Sequence, residues 1–236
     1  QSEAVRPPRA LWVPFALGRP LGSAEDPEFQ KQVVRSALGL LASATQPTIE
    51  DYPIEAPAEA DVDQWVCPVS FPVEIDESLS ARLSAEVTRL EPWSSETRSI
   101  RGRSLFGVTG AKPNQIQNVV RALASIAETG DLTTVPDDDV AWAFDMPLLT
   151  RHLADDLRTF YHEAIAAQPG ATAPNHDALN EWIFSATAFG ETLQVIAQHL
   201  TNDGSPLAML MRGLLIPEGH YKGGSAFPKT SEFGQD

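Results

Sequence analysis

One cysteine, Cys67, serves the whole of the 236 residues. A lone thiol excludes an intrachain disulfide and any site built from several thiolates. Set between Trp65 and Pro68 in an apolar stretch, it reads as a small hydrophobe rather than a nucleophile. Basic residues are also scarce, 17 against 32 acidic ones, for a formal net charge of −15. Such a surface repels nucleic acid and anionic lipid unless a local basic patch offsets it. The densest candidate, Arg98 to Arg103, is too short, so neither a nucleic-acid nor a membrane partner is expected. No apolar run reaches membrane-spanning length, and no secretory signal is recognisable. No internal repeat occurs either. These absences lead to the expectation of an acidic, soluble, cytoplasmic protein. Gln1 stands where an initiator methionine is usual, pointing to a start within a longer gene or to a processed precursor.

Several catalytic signatures are missing as well. There is no Gly-x-Ser-x-Gly elbow for a serine hydrolase. No Glu-x-x-His pair marks a di-iron helix. The glycines fit neither a dinucleotide fingerprint nor a P-loop.

What is present begins with Leu11 to Ala44. Leu11–Leu17 is a nearly continuous apolar run, which predicts a strand buried on both faces. Gly18 to Gly22 breaks it. Asp26 or Ser23 is placed to cap a helix with Pro27 at its first position. Phe29, Val33, Val34, Ala37, Leu38, Leu40 and Leu41 then recur at helical spacing. The glycine loop lies where α/β proteins bind ligands, so Gly18, Arg19 and Gly22 are candidate anion-binding residues. A tight turn whose glycines supply positive φ is the competing reading.

Further along, Thr48–Tyr52 suggests a short strand, Ser78–Leu90 a helix, and Ser104–Gly110 a second strand ending in glycine. Pro113–Glu128 forms a helix stopped by Gly130. Asp137–Asp139 is placed to cap a helix carrying Val140, Trp142 and Phe144, with a kink at Pro147. Helices from His152 to Ala167, from Asn175 to Leu200 and from Pro206 to Leu215 follow. The expected fold class is therefore mixed α/β and helix-rich. Residues 1–130 form an α/β segment with a glycine loop, 131–218 a helical bundle, and 219–236 a flexible or partner-crossing tail. Two strands do not make a stable parallel sheet alone, so the front half is expected to be completed by a partner chain.

Arg101 and Arg103, beside the glycine-ended run, could clamp a carboxylate or phosphate, or simply pair with surface acids. His152, Asp155, Asp156, Thr159, His162 and Glu163 share one helical stripe, and Glu181, Glu191 and His199 follow on the next. A metal bound by these groups is the weakest reading; a solvated acidic face is the ordinary one. His162 and Glu163, among Phe160, Tyr161 and Ala164, are the preferred acid/base pair. Adjacent helical residues diverge by about 100°, so one is expected to act and the other to orient. His162 is favoured as the proton carrier because its unperturbed pKa lies near neutrality.

Phe15-Ala-Leu-Gly-Arg-Pro-Leu-Gly22, then Asp26-Pro27-x-Phe-Gln30 and Ala37-Leu-x-Leu-Leu-Ala-Ser-Ala-Thr45, resembles the C-terminal part of selenoprotein B-type subunits. These belong to the glycine, sarcosine, betaine and D-proline reductases and their uncharacterised relatives. Arg101–Gly110, Asp156–Ala164 and Trp182–Gly190 are similar to the uncharacterised branch. The resemblance implies reductive cleavage of a bond in a small carboxylate-bearing substrate. The family's redox cysteine or selenocysteine segment has no counterpart here, and Cys67 does not match its position. The expectation is a subunit of a hetero-oligomeric oxidoreductase whose partner carries the redox Cys or Sec, with no cofactor specified. A non-catalytic scaffold subunit is the alternative.

Overall fold

Asp26 and Pro27 start the first helix as their chemistry dictates: the Asp26 carboxylate accepts the Phe29 amide at 3.0 Å, and Pro27 takes the first position. The computed structural model describes residues 5–15, 19–23, 26–56, 78–137, 139–168 and 174–222. Cys67, Gly18 and the tail beyond residue 222 lie outside them. The chain divides into two compact units, Gln1–Asp61 and Val62–Asp236.

The first unit is a single strand–helix–strand turn of chain. β1 (Arg9–Trp12) pairs in parallel with β2 (Thr48–Asp51), Arg9 opposite Thr48 and Trp12 opposite Asp51. α1 (Pro27–Ser43) connects them. The Arg9 guanidinium donates to the carbonyls of Leu40 at 3.0 Å and Ala44 at 3.1 Å, closing the helix C-terminus. The core is small: Phe29, Val33 and Tyr52 are buried, with Leu11, Val13, Phe15 and Ala56 packed against them. Phe15, Phe29 and Tyr52 form an aromatic trio with centroids 5.5 to 6.3 Å apart. The strand is shorter and earlier than Leu11–Leu17 and is not buried on both faces, since Trp12 is 55 % exposed. Among its described residues β1 has one parallel neighbour and one helix, and none of them covers the second face.

The described residues of the second unit form helices and turns, with no strand among them. α2 (Leu79–Arg101), α3 (Ile116–Thr129) after a 3-10 turn at Pro113–Gln115, α4 (Leu148–Ala166), α5 (His176–Ala186), α6 (Ala188–Asp203) and α7 (Pro206–Leu215) share one core. α2 packs along α4, and α3 lies against both. Leu83, Val87, Leu123, Leu153, Leu157, Phe189 and Ile196 are fully enclosed. Residues 79–129 thus belong with the bundle, which begins at Leu79 and not at 131.

Four local readings are corrected. α2 does not end at Leu90 but runs through Pro92 to Gly102, in a left-handed cap. Leu83, Val87, Leu90, Ser94 and Thr97 form one buried face at spacings of four and three. Packing of that face outweighs the roughly 3 kcal/mol that an internal proline costs. Ser104–Gly110 is a succession of turns, not a strand, and residues 139–147 form no helix; α4 starts only after Pro147. The predicted helix from Asn175 to Leu200 is two helices broken at Thr187. Thr187 is extended, and its hydroxyl accepts the Gly190 amide at 3.0 Å. The two helices meet so closely that a Cβ on Gly190 would lie 2.1 Å from the Ile183 carbonyl oxygen. The tail's first residues are tied down: the Tyr221 hydroxyl donates to the Arg212 carbonyl and accepts the Ile216 amide at 3.3 Å.

Candidate functional site

α4 carries two buried carboxylates seven residues apart, Asp156 and Glu163. Two helical turns separate them by about 10 Å on one face. Each holds one end of the turn-rich segment that follows α2. Asp156 Oδ1 accepts the amides of Gly107 at 2.7 Å and Val108 at 3.0 Å. Its Oδ2 accepts the Thr109 amide at 3.2 Å and the Thr109 hydroxyl at 2.5 Å. Glu163 Oε1 accepts the Ser104 hydroxyl, while Oε2 accepts Ser94 and the Arg98 guanidinium, both at 3.2 Å. The Thr97 hydroxyl donates to the Glu163 backbone carbonyl at 2.5 Å. Every buried carboxylate oxygen therefore meets a donor, the condition under which such a group is stable in a core.

Arg101 ends α2, and Arg103 stands next to the anchored Ser104. Together with Ser104, Leu105, Thr159, His162 and Glu163 they line a cleft of about 320 Å³. Four residues chosen from the sequence, Arg101, Arg103, His162 and Glu163, thus converge on one place. Glu163 pairs with an arginine, Arg98 of α2. Glu163 is buried, and His162 is the exposed member of the pair. The His162 imidazole, however, does not titrate near neutrality. Although the side chain keeps an exposed edge, the protein packed around the rest of the ring, with the charges of Arg158 and His176 adding to it, lowers its pKa to about 4.

The glycine loop belongs to the first unit. Gly22 donates its amide to the Arg19 carbonyl at 3.0 Å, closing a turn. At φ 86° it has no room for a side chain, since a Cβ would stand 2.6 Å from the Phe29 ring. Its glycine is thus accounted for by backbone shape and packing. A shallow groove of about 440 Å³ on the same unit is lined by Leu21, Pro27, Gln30, Lys31, Val34 and Arg35, not by Arg19 or Gly22.

The acidic stripe does not gather into a metal-binding group. Asp155 pairs with Arg151 at 3.1 Å and Arg158 at 3.0 Å, and Glu191 with Arg82 at 2.8 Å. His152 stacks on Phe144, its ring 4.1 Å away, and His199 Nε2 contacts the Ala127 carbonyl at 2.9 Å. Among the described residues no three His, Cys, Asp or Glu side chains stand close enough to share an ion.

One buried acid escaped the sequence reading. Glu86 on α2 accepts the Tyr161 hydroxyl at 2.7 Å, the Ala188 amide at 2.7 Å and the Phe189 amide at 3.3 Å. It completes the N-terminus of α6 from a neighbouring helix. Burial pushes its carboxyl up despite those bonds, and pushes the Tyr161 phenol well up too. Ser94 and Arg98 were likewise missed; they lie on the turn of α2 beyond Pro92, where the helix was expected to have ended.

Comparison of the chain with protein-family models, with curated proteins and with solved structures gives no match.

Proposed function

We propose that the chain is the substrate-holding subunit of a hetero-oligomeric, reductase-like enzyme acting on a small carboxylate-bearing molecule. The observation that carries this reading is the convergence of Arg101, Arg103, Ser104, Thr159 and His162 on one cleft of about 320 Å³, a volume suited to a small ligand. Arginine side chains present a planar fork that matches a carboxylate, and neighbouring hydroxyls add donors. The thiol or selenol that gives up two electrons comes, in this reading, from a partner subunit and ends oxidised; His162 handles the proton that the departing group requires. The turn at Arg19 and Gly22 serves, in this reading, a subunit-facing edge of the first unit.

The test has two arms. Purification from the native source under mild conditions should bring down a chain bearing a reactive Cys or Sec. Chloroacetate or another small carboxylate should bind the full chain, and Arg103→Ala should weaken that binding at least tenfold. Absence of both a partner and binding would sink the proposal.

A second reading, a docking subunit without chemistry of its own, is favoured by one observation. α7 leaves Leu207 51 %, Leu210 51 % and Leu214 43 % exposed along one face. A partner captured while the cleft binds no small anion would select this alternative.

A further inference from the structure

His162 stands among arginines drawn from α2, the turn after it and α4, with His176 of α5 close by. Arg101 at the end of α2 and Arg103 in the following turn line the same cleft. Arg158 lies one helical turn back on α4, and His176 opens α5; both act on the imidazole. The neighbouring negative charges are already committed. Glu163 is held by Arg98, Ser94 and Ser104. Asp155 is shared between Arg151 and Arg158, and Asp177 lies 3.3 Å from His176. The arginines lining the same cleft disfavour the charged ring even though its edge is exposed, so without an anion beside it the imidazole is neutral at physiological pH. An anion seated between the arginines and His162 reverses the local sign. It offers the ring a hydrogen-bond acceptor and cancels the charges that kept the proton away.

We propose that an anion entering this cleft brings a proton with it, taken up on the His162 imidazole. The inference rests on the cleft reading given above and adds to it a coupling between occupancy and protonation. Its chemical sense is that the substrate itself charges the acid. The free subunit holds a neutral ring, and only the occupied one holds an imidazolium ready to donate.

Linkage sets the expected size. The bound-state pKa lies above the free-state value of about 4. Affinity therefore rises as pH falls below the bound-state pKa, approaching tenfold per pH unit, and levels off below the free-state value. Chloroacetate is a suitable ligand because it stays ionised through this range. Calorimetric titration of the full chain from about pH 7.5 to about pH 5, in buffers of different ionisation heat, should show tighter binding at the acidic end and uptake of close to one proton. The His162 ring signal in NMR should titrate at higher pH with chloroacetate than without. His162→Gln should bind with an affinity independent of pH, and Arg103→Ala should bind more weakly at every pH.

Binding of equal strength across the range, with no proton uptake and an unmoved ring titration, would overturn the coupling and leave the cleft reading intact. Retained pH dependence in His162→Gln would place the proton elsewhere, His176 first, and overturn it too. No chloroacetate binding at any pH would overturn both inferences. If His162→Gln fails to fold, the ring titration in the unsubstituted chain decides.

Discussion

The two units use their apolar residues in opposite ways. α1 is an amphipathic helix by sequence, yet only Phe29, Val33 and Leu40 are buried, while Val34, Leu38 and Leu41 are 39 %, 58 % and 65 % exposed. α4 buries eleven of its residues, Asp156 and Glu163 among them. The bundle has apolar surface enough to enclose even its carboxylates, provided each is hydrogen-bonded. Among its described residues the strand–helix–strand unit leaves the second face of its helix exposed. A site with buried charge therefore arises in the bundle, and an unsatisfied apolar face in the smaller unit. The contrast shows where stability and where association should be sought.

The contrast can be tested by breaking each side. The largest effect is expected from Leu153→Ala, which empties a fully enclosed position on α4 and should cost about 2–5 kcal/mol of bundle stability in chemical denaturation. The first unit's amide-exchange protection should hardly change. Asp156→Ala should come next, on the order of 3 kcal/mol, because three amides and a hydroxyl lose a charged acceptor. It should also abolish anion binding, since Arg103 loses its support; retained binding would show the segment to hold its own shape. Gly22→Ala should cost about 1–3 kcal/mol, confined to the first unit and read by exchange at α1 amides.

A pH effect is smaller. His162 has a folded pKa of about 4, below its usual 6.5. The unfolded chain binds more protons in that window, so folding stability falls as pH drops from 6.5 to 4 and is unaffected above it. His162→Gln should show a shallower fall in Tm across the same window; an identical profile would assign the acid loss elsewhere. Smallest of all on stability is Leu38→Lys, which touches only exposed surface and should leave the melting curve within about 0.5 kcal/mol. Its value lies in association: a partner that docks on α1 should be lost with it.

Much of the candidate site was legible because its signals are local. The stripe at 156, 159 and 163 follows from helical spacing, and the Arg-Gly-Arg sequence is visible by inspection. The cap at Asp26, the proline at 27 and the stop at Gly130 are local as well. What was not legible depends on partners distant in sequence. The segment Ser104–Gly110 is apolar and reads as a strand, but its amides are taken by Asp156, 47 to 49 residues away. Pro92 ends a helix by local rule and not here, because the buried face continues beyond it. The break at Thr187 needs Glu86, 102 residues earlier, to receive the Ala188 amide. A sequence pattern discloses which residues share a face, not which remote carboxylate will complete a turn.

Because Asp156 and Glu163 hold opposite ends of one segment, α4 serves as a gauge against which residues 104–109 are measured. A single residue inserted between Leu157 and His162 would turn Glu163 through about 100° relative to Asp156 and advance it by about 1.5 Å, so both ends could no longer be held at once. An insertion of the same length in the exposed turn at Leu105 leaves the gauge intact. Changes in chain length should thus be accepted on one side of the cleft and refused on the other. Variation in cleft size would have to come from the turn, with the helix setting the span.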